Sequence, residues 1–174
     1  MSPPWSKPLE IDRLVETKAD IDFVVPLAEL LRLRSQLGSV GGSVHGQVHF
    51  AREVGIGVAE LALNGTVTLV CQRCLETMEL PIESTVRVGL IEAVADMNRM
   101  PEDLEPMLAP EGRISIGELV EEELLLALPI VPLHESAASC AVALSTLPIT
   151  QEQEERETQK PFERLGELLK RSPS

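Results

Sequence analysis

The chain has 174 residues, the length of one domain with tails, and its formal charge is −13. Apolar residues make up 44% of it and aromatic residues 2%, so a core must be assembled from Leu, Val, Ile and Ala. Affinity for a nucleic-acid backbone depends on Lys and Arg, so this charge disfavours direct RNA binding and favours a protein partner. No stretch of about 18 apolar residues is present to cross a membrane.

The first third of the chain predicts a tail and a short helix. Residues 1–8 contain three prolines and no apolar signal core, which indicates a flexible tail and a cytoplasmic protein. A single domain is predicted from residue 9 to residue 145. Within it, Pro26 to Arg34 predicts a short amphipathic helix with Leu27, Leu30 and Leu31 on its apolar face.

From Val44 to Ile91 the apolar residues alternate with polar ones, which is typical of strands. Asn64-Gly65 predicts a hairpin turn, because both residues tolerate positive φ. The connections are too short for crossover helices, so we expect an antiparallel meander of about five strands. The sequence does not decide between an open sheet and a barrel-like one. With two or three α-helices packed on it, the predicted class is α+β.

The second predicted helix runs from Ile116 to Leu128. Ser115 and Glu118 have the spacing of a capping box at its start, and Pro129 ends it. Its last turn is apolar all round, which predicts burial. Pro132 then keeps the preceding residue extended.

The C-terminal region predicts a linker followed by a third helix. Residues 146–160 are polar and charged without periodicity, which indicates an acidic linker. Residues 161–174 contain an amphipathic helix in which Phe162, Leu165, Leu168 and Leu169 share one side.

Two cysteines separated by two residues, Cys71 and Cys74, are the strongest chemical signal in the sequence. A tetrahedral zinc ion needs two more ligands, and His134 and Cys140 are the later candidates. Cysteines that pack as small apolar residues at a strand end are favoured over this zinc site, and a redox pair is the least favoured interpretation. A small metal-dependent or thiol-dependent enzyme on these four residues is the competing functional class.

An acidic run from Glu121 to Glu123 lies within the predicted helix, and residues 91–151 hold 11 acids and 2 bases. Consecutive helical residues point in different directions, so a solvated face is favoured over a catalytic carboxylate site. No glycine-rich phosphate loop and no Gly-x-Ser-x-Gly motif is present. The sequence therefore predicts a protein that is not an enzyme.

Three blocks in order resemble the YceD family of large ribosomal RNA subunit accumulation proteins. They are the strand and turn from Val67 to Leu75, the helix and Pro-x-x-Pro-x-His segment from Ile116 to His134, and the segment from Lys160 to Leu165. Lys160 replaces the family's Asn before Pro-Phe. Some relatives carry extra cysteines after the Pro-x-x-Pro segment, which fits a metal-binding role for Cys140.

The resemblance implies a ribosome biogenesis factor needed for accumulation of 23S ribosomal RNA, with no catalytic activity. The expected partner is a ribosomal protein or an RNA-processing enzyme, with pre-rRNA present in the ribonucleoprotein; direct RNA binding is the alternative. The acidic helix is expected to dock a basic partner by charge complementarity, and the C-terminal helix to lie in a groove. The residues predicted to contact the partner are Glu118, Glu121, Glu122, Pro129, Pro132, Phe162 and Leu165.

Overall fold

In a computed structural model of the protein, the structure describes residues 4–140. The predicted linker (146–160) and C-terminal helix (161–174) lie outside the described residues. The strands are β1 (Leu9–Glu10), β2 (Asp20–Pro26), β3 (Ser43–Glu53), β4 (Ile56–Val70), β5 (Thr77–Ile91), β6 (Glu105–Leu108) and β7 (Arg113–Ile114). The α-helices are α1 (Ile11–Glu16) and α2 (Ile116–Ala127), and 3-10 turns lie at Pro4–Ser6, Leu27–Glu29, Leu33–Gln36, Val94–Arg99 and Pro110–Gly112.

Five strands form one sheet in the order β2-β3-β4-β5-β6, and β1 pairs with β7 in a separate two-stranded sheet. The main sheet is antiparallel except for the parallel pair β5–β6. The predicted α+β class, with about five mostly antiparallel strands, is confirmed. The barrel-like alternative is wrong, because β2 and β6 are the two ends of the strand order and do not pair with each other.

Asn64-Gly65 is not a hairpin turn, contrary to the prediction; both residues lie inside β4. Glycine is needed at position 65 for close strand approach, because a Cβ there would lie 2.8 Å from Cγ1 of Val44. The turn between β3 and β4 falls instead at Val54 and Gly55, with φ values of 49° and 85°. The alternating segments therefore merge into three long strands.

The amphipathic α-helix predicted from Pro26 to Arg34 is also wrong. The structure has two 3-10 turns in this region, at Leu27–Glu29 and Leu33–Gln36. Leu27, Leu30 and Leu33 are buried, but no single helix carries them, because the backbone is extended at Leu30, with φ −84° and ψ 92°. Burial of these leucines therefore does not require a continuous helix.

The second predicted helix is confirmed as α2. Ser115 caps its first turn, since the Ser115 hydroxyl accepts from the Glu118 amide and the Glu118 carboxylate accepts from the Ser115 amide. Its last turn is not wholly buried as expected, because Leu126 is 66% exposed. No helix within residues 4–140 is long and apolar enough to cross a membrane.

The core lies between one face of the sheet and α2, which contacts both β2 and β5. Residues that point inward from the strands are buried, among them Val48, Phe50 and Leu61. Their neighbours in sequence are more exposed, as in a sheet covered on one face, but residues 57–59 of β4 and 88–91 of β5 are buried in succession, so both faces are covered there. Trp5, in the segment predicted to be a tail, packs against this core near Gly117 of α2.

Candidate metal centre

Cys71 and Cys74 lie in the tight turn that joins β4 to β5. The Leu75 amide donates to the Cys71 carbonyl at 2.9 Å, and the Cys71 amide donates to the Glu76 carbonyl at 2.9 Å. Leu75 has a φ of 63°, in the left-handed region that favours glycine, so the turn closes at some conformational cost. This turn presents the two sulfur atoms toward the segment that follows α2.

The segment after α2 is held against this turn. Pro129 has no amide hydrogen to continue the helix, and the chain becomes extended at Leu128. The Gln72 amide then donates to the Pro132 carbonyl at 2.9 Å. This bond brings His134 next to the cysteines. Residues 137–140 are helical and place Cys140, only 1% exposed, on the same site.

The structure therefore brings together all four residues predicted as metal ligands. The three sulfur atoms and a ring nitrogen of His134 all lie within 4.8 Å of one another. His134 Nδ1 is 3.5 Å from the sulfur of Cys74 and 3.5 Å from that of Cys140. The sulfur atoms of Cys71 and Cys140 are 3.9 Å apart, too far for a disulfide.

These distances can be compared with those around a bound metal. Zinc lies about 2.3 Å from a thiolate sulfur and about 2.0–2.1 Å from an imidazole nitrogen. In a tetrahedron, those bond lengths separate two sulfurs by about 3.8 Å and a sulfur and a nitrogen by about 3.6 Å. The three individual separations given above, 3.5, 3.5 and 3.9 Å, match these values, so the residues fit a tetrahedral Cys₃His site. Zinc itself remains a prediction.

The two buried cysteines, Cys71 and Cys140, differ in pKa, so that one is a thiolate and the other a thiol. Burial raises the pKa of Cys71, but the backbone amides of His134, Cys74 and Arg73 outweigh it and lower the pKa to about 5. Burial raises the pKa of Cys140, and its hydrogen bonds with the Cys74 and Cys71 sulfurs raise it further. The thiolate is the form of cysteine that binds a metal ion, so this ionisation suits Cys71 to act as a ligand.

Arg73 is a further site residue that was not predicted as functional. Its guanidinium lies 3.8 Å from the Cys140 sulfur. Three thiolates and one divalent ion carry a net charge of −1, and a guanidinium at this distance partly neutralises it. The Cys-Gln-Arg-Cys sequence contains this signal, because a cation between two thiolate ligands is placed to offset their charge.

The acidic residues predicted to contact a partner all bind within the chain. Glu118 belongs to the capping box of α2, as described above. The Glu121 carboxylate accepts from the amides of Arg32 and Leu33 at 2.6 and 3.2 Å. Glu122 forms an ion pair with Arg32 at 2.6 Å. These contacts give the carboxylates a structural role, which the sequence pattern indicated for Glu118 but not for Glu121 or Glu122.

The remaining predicted contact residues lie after α2. Pro129 is exposed, and Pro132 is half-buried and accepts the bond from Gln72. Phe162 and Leu165 lie outside the described residues. The partner-binding assignment of all seven residues stays a prediction.

Comparisons with known proteins converge on one family. The model of the family described as large ribosomal RNA subunit accumulation protein YceD matches residues 59–169, well over half of the chain. The large ribosomal RNA subunit accumulation protein YceD of Haemophilus influenzae is 29% identical over 133 residues, which are 74% of this chain and 76% of that protein. No solved structure matches the chain.

Proposed function

The chain belongs to the YceD family of large ribosomal RNA subunit accumulation proteins, and we propose that it is a ribosome biogenesis factor required for accumulation of 23S ribosomal RNA. It acts in the cytoplasm, through contacts with a protein or ribonucleoprotein, and not as an enzyme. The observation that carries this proposal is the extent of the family match. Residues 59–169 include most of β4, the Cys71–Cys74 turn, α2, His134 and Cys140, so the match covers the candidate metal centre.

The chemistry of the centre supports a structural role. Three cysteines and one histidine supply all four positions of a tetrahedral site, whereas catalytic zinc sites keep one position for water or substrate. We propose that Cys71, Cys74, His134 and Cys140 hold one zinc ion. The ion would fix the segment after α2 to the turn between β4 and β5.

The charge of the chain supports a basic partner. With a net charge of −13, the surface attracts lysine-rich and arginine-rich proteins and repels RNA. We propose that a basic ribosomal protein or RNA-processing enzyme docks on the acidic face of α2, at Glu118 and Glu122. Both side chains are accessible despite their internal contacts, since Glu118 is exposed and the side chain of Glu122 is 42% exposed.

Complementation tests the biological role. A bacterial host that lacks its own family member should recover 23S relative to 16S rRNA when it expresses this chain. The Cys71→Ser, Cys74→Ser double variant should not restore the ratio, whereas Gln72→Ala, in the same turn but not a ligand, should restore it. An rRNA ratio that the wild-type chain leaves unchanged would overturn the function, and full rescue by the cysteine variant would overturn the need for the metal.

Capture from a ribosome-containing lysate tests the partner. Glu118→Gln with Glu122→Gln removes two charges, while glutamine at position 118 can still complete a capping box. At low salt this variant should retain less ribosomal or processing protein than the wild type. The control is Glu16→Gln with Glu29→Gln, which has the same net charge and should capture normally. Capture that is lost after ribonuclease treatment would point to RNA and contradict a protein contact.

A further inference from the structure

Strand β2 lies at one edge of the main sheet. It pairs with β3 on one side only, because the strand order runs β2-β3-β4-β5-β6. Its seven residues pair with β3 in one continuous register, without a bulge. Within residues 4–140, no backbone hydrogen bond outside the helices and strands involves residues 20–26. Among the described residues, the side of β2 that faces away from β3 is therefore open to another strand.

The hydrogen bonds at the two ends of β2 show which of its main-chain groups face this open side. The Phe50 amide donates to the Ala19 carbonyl at 2.9 Å, and the Leu27 amide donates to the Gly42 carbonyl at 3.1 Å. Both pairs continue the register of β2 with β3. Since opposite residues of an antiparallel pair alternate between bonded and non-bonded, the odd-numbered residues of β2 bond to β3. The even-numbered residues direct their N–H and C=O groups outward.

Asp22 and Val24 carry these outward groups in the middle of β2, and their side chains face solvent. Val24 is 60% exposed. Asp22 is also exposed, and its carboxylate has no hydrogen-bond or ion-pair partner among the described residues. Pro26 has no amide hydrogen and ends the usable edge. The open edge therefore combines free main-chain donors and acceptors with one free carboxylate.

An apolar cavity of about 460 Å³ lies against the same edge. Asp22 is the only charged residue in its lining. Five apolar side chains supply most of the rest: Trp5, Leu9, Ile21, Phe23 and Ile116. A cavity of this size is large enough to hold apolar side chains of a ligand. Because successive side chains of a strand point to opposite faces, a strand added to β2 would turn every second side chain toward the cavity.

Charge indicates which kind of strand fits the other face. Asp20 and Asp22 lie on the solvent face of β2, and His49 contacts the Asp20 carboxylate at 2.7 Å. Opposite charges on neighbouring strands attract each other. Lysine or arginine at the alternate positions of an added strand would therefore face these carboxylates while its apolar residues face the cavity. The net charge of −13 draws a basic segment toward the chain as well.

The same acids disfavour a second copy of this chain as the occupant. Two β2 edges in one sheet would bring four carboxylates, from Asp20 and Asp22 of each copy, onto a short stretch of one face. Like charges on neighbouring strands repel, and each copy carries −13. The acids of β2 therefore select against self-pairing and in favour of a basic strand.

We propose that β2 binds, by strand addition, an extended segment of a basic protein in which apolar residues alternate with lysine or arginine. The main chain of that segment bonds to Asp22 and Val24, its apolar side chains enter the cavity beside Trp5, and its basic side chains face Asp22. This surface uses different residues from the acidic face of α2 proposed above, so either proposal can fail without the other.

Titration of the full-length chain with a synthetic peptide tests the proposal. The peptide has the length of β2 and alternates lysine with valine, and amide hydrogen exchange is followed by NMR. The amides of Asp22 and Val24 should exchange at least about fivefold more slowly with peptide present, because they gain hydrogen bonds. The amide of Phe23, which already bonds to β3, should not change. A control peptide with glutamate in place of lysine should give no protection at the same concentration.

A charge reversal in the chain gives an independent test. Asp22→Lys should weaken binding of the lysine peptide about tenfold, because attraction between the strands becomes repulsion. The exposed position should leave the fold intact. Glu79→Lys changes the net charge equally at an exposed residue of β5, three strands away, and should bind as the wild type does.

Four outcomes would each overturn the proposal. Two are equal binding of the lysine and glutamate peptides and equal effects of Asp22→Lys and Glu79→Lys. The third is protection of the Asp22 and Val24 amides in the free chain, which would show that another part of the chain covers the edge. The fourth is protection that increases with the concentration of the chain alone, which would show self-pairing.

Discussion

Replacement of Cys140 by Ser should weaken zinc binding strongly while the sheet stays folded. Structural zinc binds small peptides with about 10–16 kcal/mol, so one ligand in four corresponds to a loss of about a hundredfold to a thousandfold in affinity. A hydroxyl at position 140 is a poorer ligand than a thiolate at the same place. Competition with a chromophoric chelator measures the affinity directly. Ser139→Ala, at an exposed neighbour, should bind zinc as the wild type does.

The structural consequence of losing the metal should be local. Among the backbone hydrogen bonds outside regular helices and strands, the one from Gln72 to Pro132 joins the cysteine turn to the segment after α2. The buried residues of β3, β4 and α2 form their own core, which the ligands do not complete. Without zinc, amide hydrogen exchange should therefore increase in residues 129–140 and change little in the sheet.

Two results would refute this reasoning. The metal centre would be ruled out by three results together. All three cysteines would react freely with a thiol reagent in the purified protein, elemental analysis would find no zinc, and added zinc would not bind. Global unfolding on chelation would keep the metal but show that the core depends on it, contrary to the local effect derived from the contacts.

Three further outcomes follow from particular residues. Val54→Asn should stabilise the protein by about 1 kcal/mol, because Val54 is exposed and holds a φ of 49° that asparagine adopts more readily; thermal unfolding measures this. Glu121→Ala should cost about 2 kcal/mol in denaturant unfolding, because the amides of Arg32 and Leu33 lose a charged acceptor. In zinc-free protein, the amides of Cys74 and Arg73, which lie in the turn itself, keep the pKa of Cys71 below its ordinary 9.0, so its stabilising contribution is complete above pH 9 and is lost as the pH falls; Cys71→Ser should flatten that part of the pH–stability curve.

A matched control variant for each prediction distinguishes the specific effect from general destabilisation of the fold. Val94→Asn changes an exposed valine without positive φ and should not stabilise. Glu122→Ala breaks an exposed ion pair and should cost less than 1 kcal/mol. Gln72→Ser alters the cysteine turn without removing a ligand and should keep the pH dependence. Equal effects of a variant and its control would contradict the corresponding prediction.

Features that depend on residue type and on the sequence itself, without knowledge of tertiary contacts, were predicted from the sequence. The start of α2 was found because Ser115 and Glu118 form a capping box from sequence neighbours alone. The four metal-ligand candidates were identified because two cysteines separated by two residues can share one metal ion, and His134 and Cys140 are the only later histidine and cysteine in the sequence. The capping box depends on residue chemistry at a fixed offset, whereas the ligand set depends on how few sulfur and imidazole groups the chain contains.

The predictions that failed depend on distant contacts. Gly65 looks like a turn residue until Val44 on the neighbouring strand is known to leave no room for a Cβ. Leu27, Leu30 and Leu33 fit an α-helix nearly as well as 3-10 turns, and packing against the core decides between them. Glu121 looks like a solvated residue until α2 is placed beside Arg32, which is 89 residues away in sequence. Tertiary contacts determined each of these outcomes.

The internal contacts of α2 and of the segment that follows it determine how rigid this surface is when a partner binds. Glu121 and Glu122 hold the middle of α2 to the turn at Arg32, and the bond from Gln72 to Pro132 holds the segment beyond α2 to the turn between β4 and β5, where the proposed zinc ion would add a further attachment. The helix and the Pro-x-x-Pro segment are thus fixed at two separate points. A fixed surface loses little conformational entropy on binding, so even a small contact area can give useful affinity. Loss of the metal should therefore weaken partner binding through disorder of this segment, although none of the four ligands needs to touch the partner.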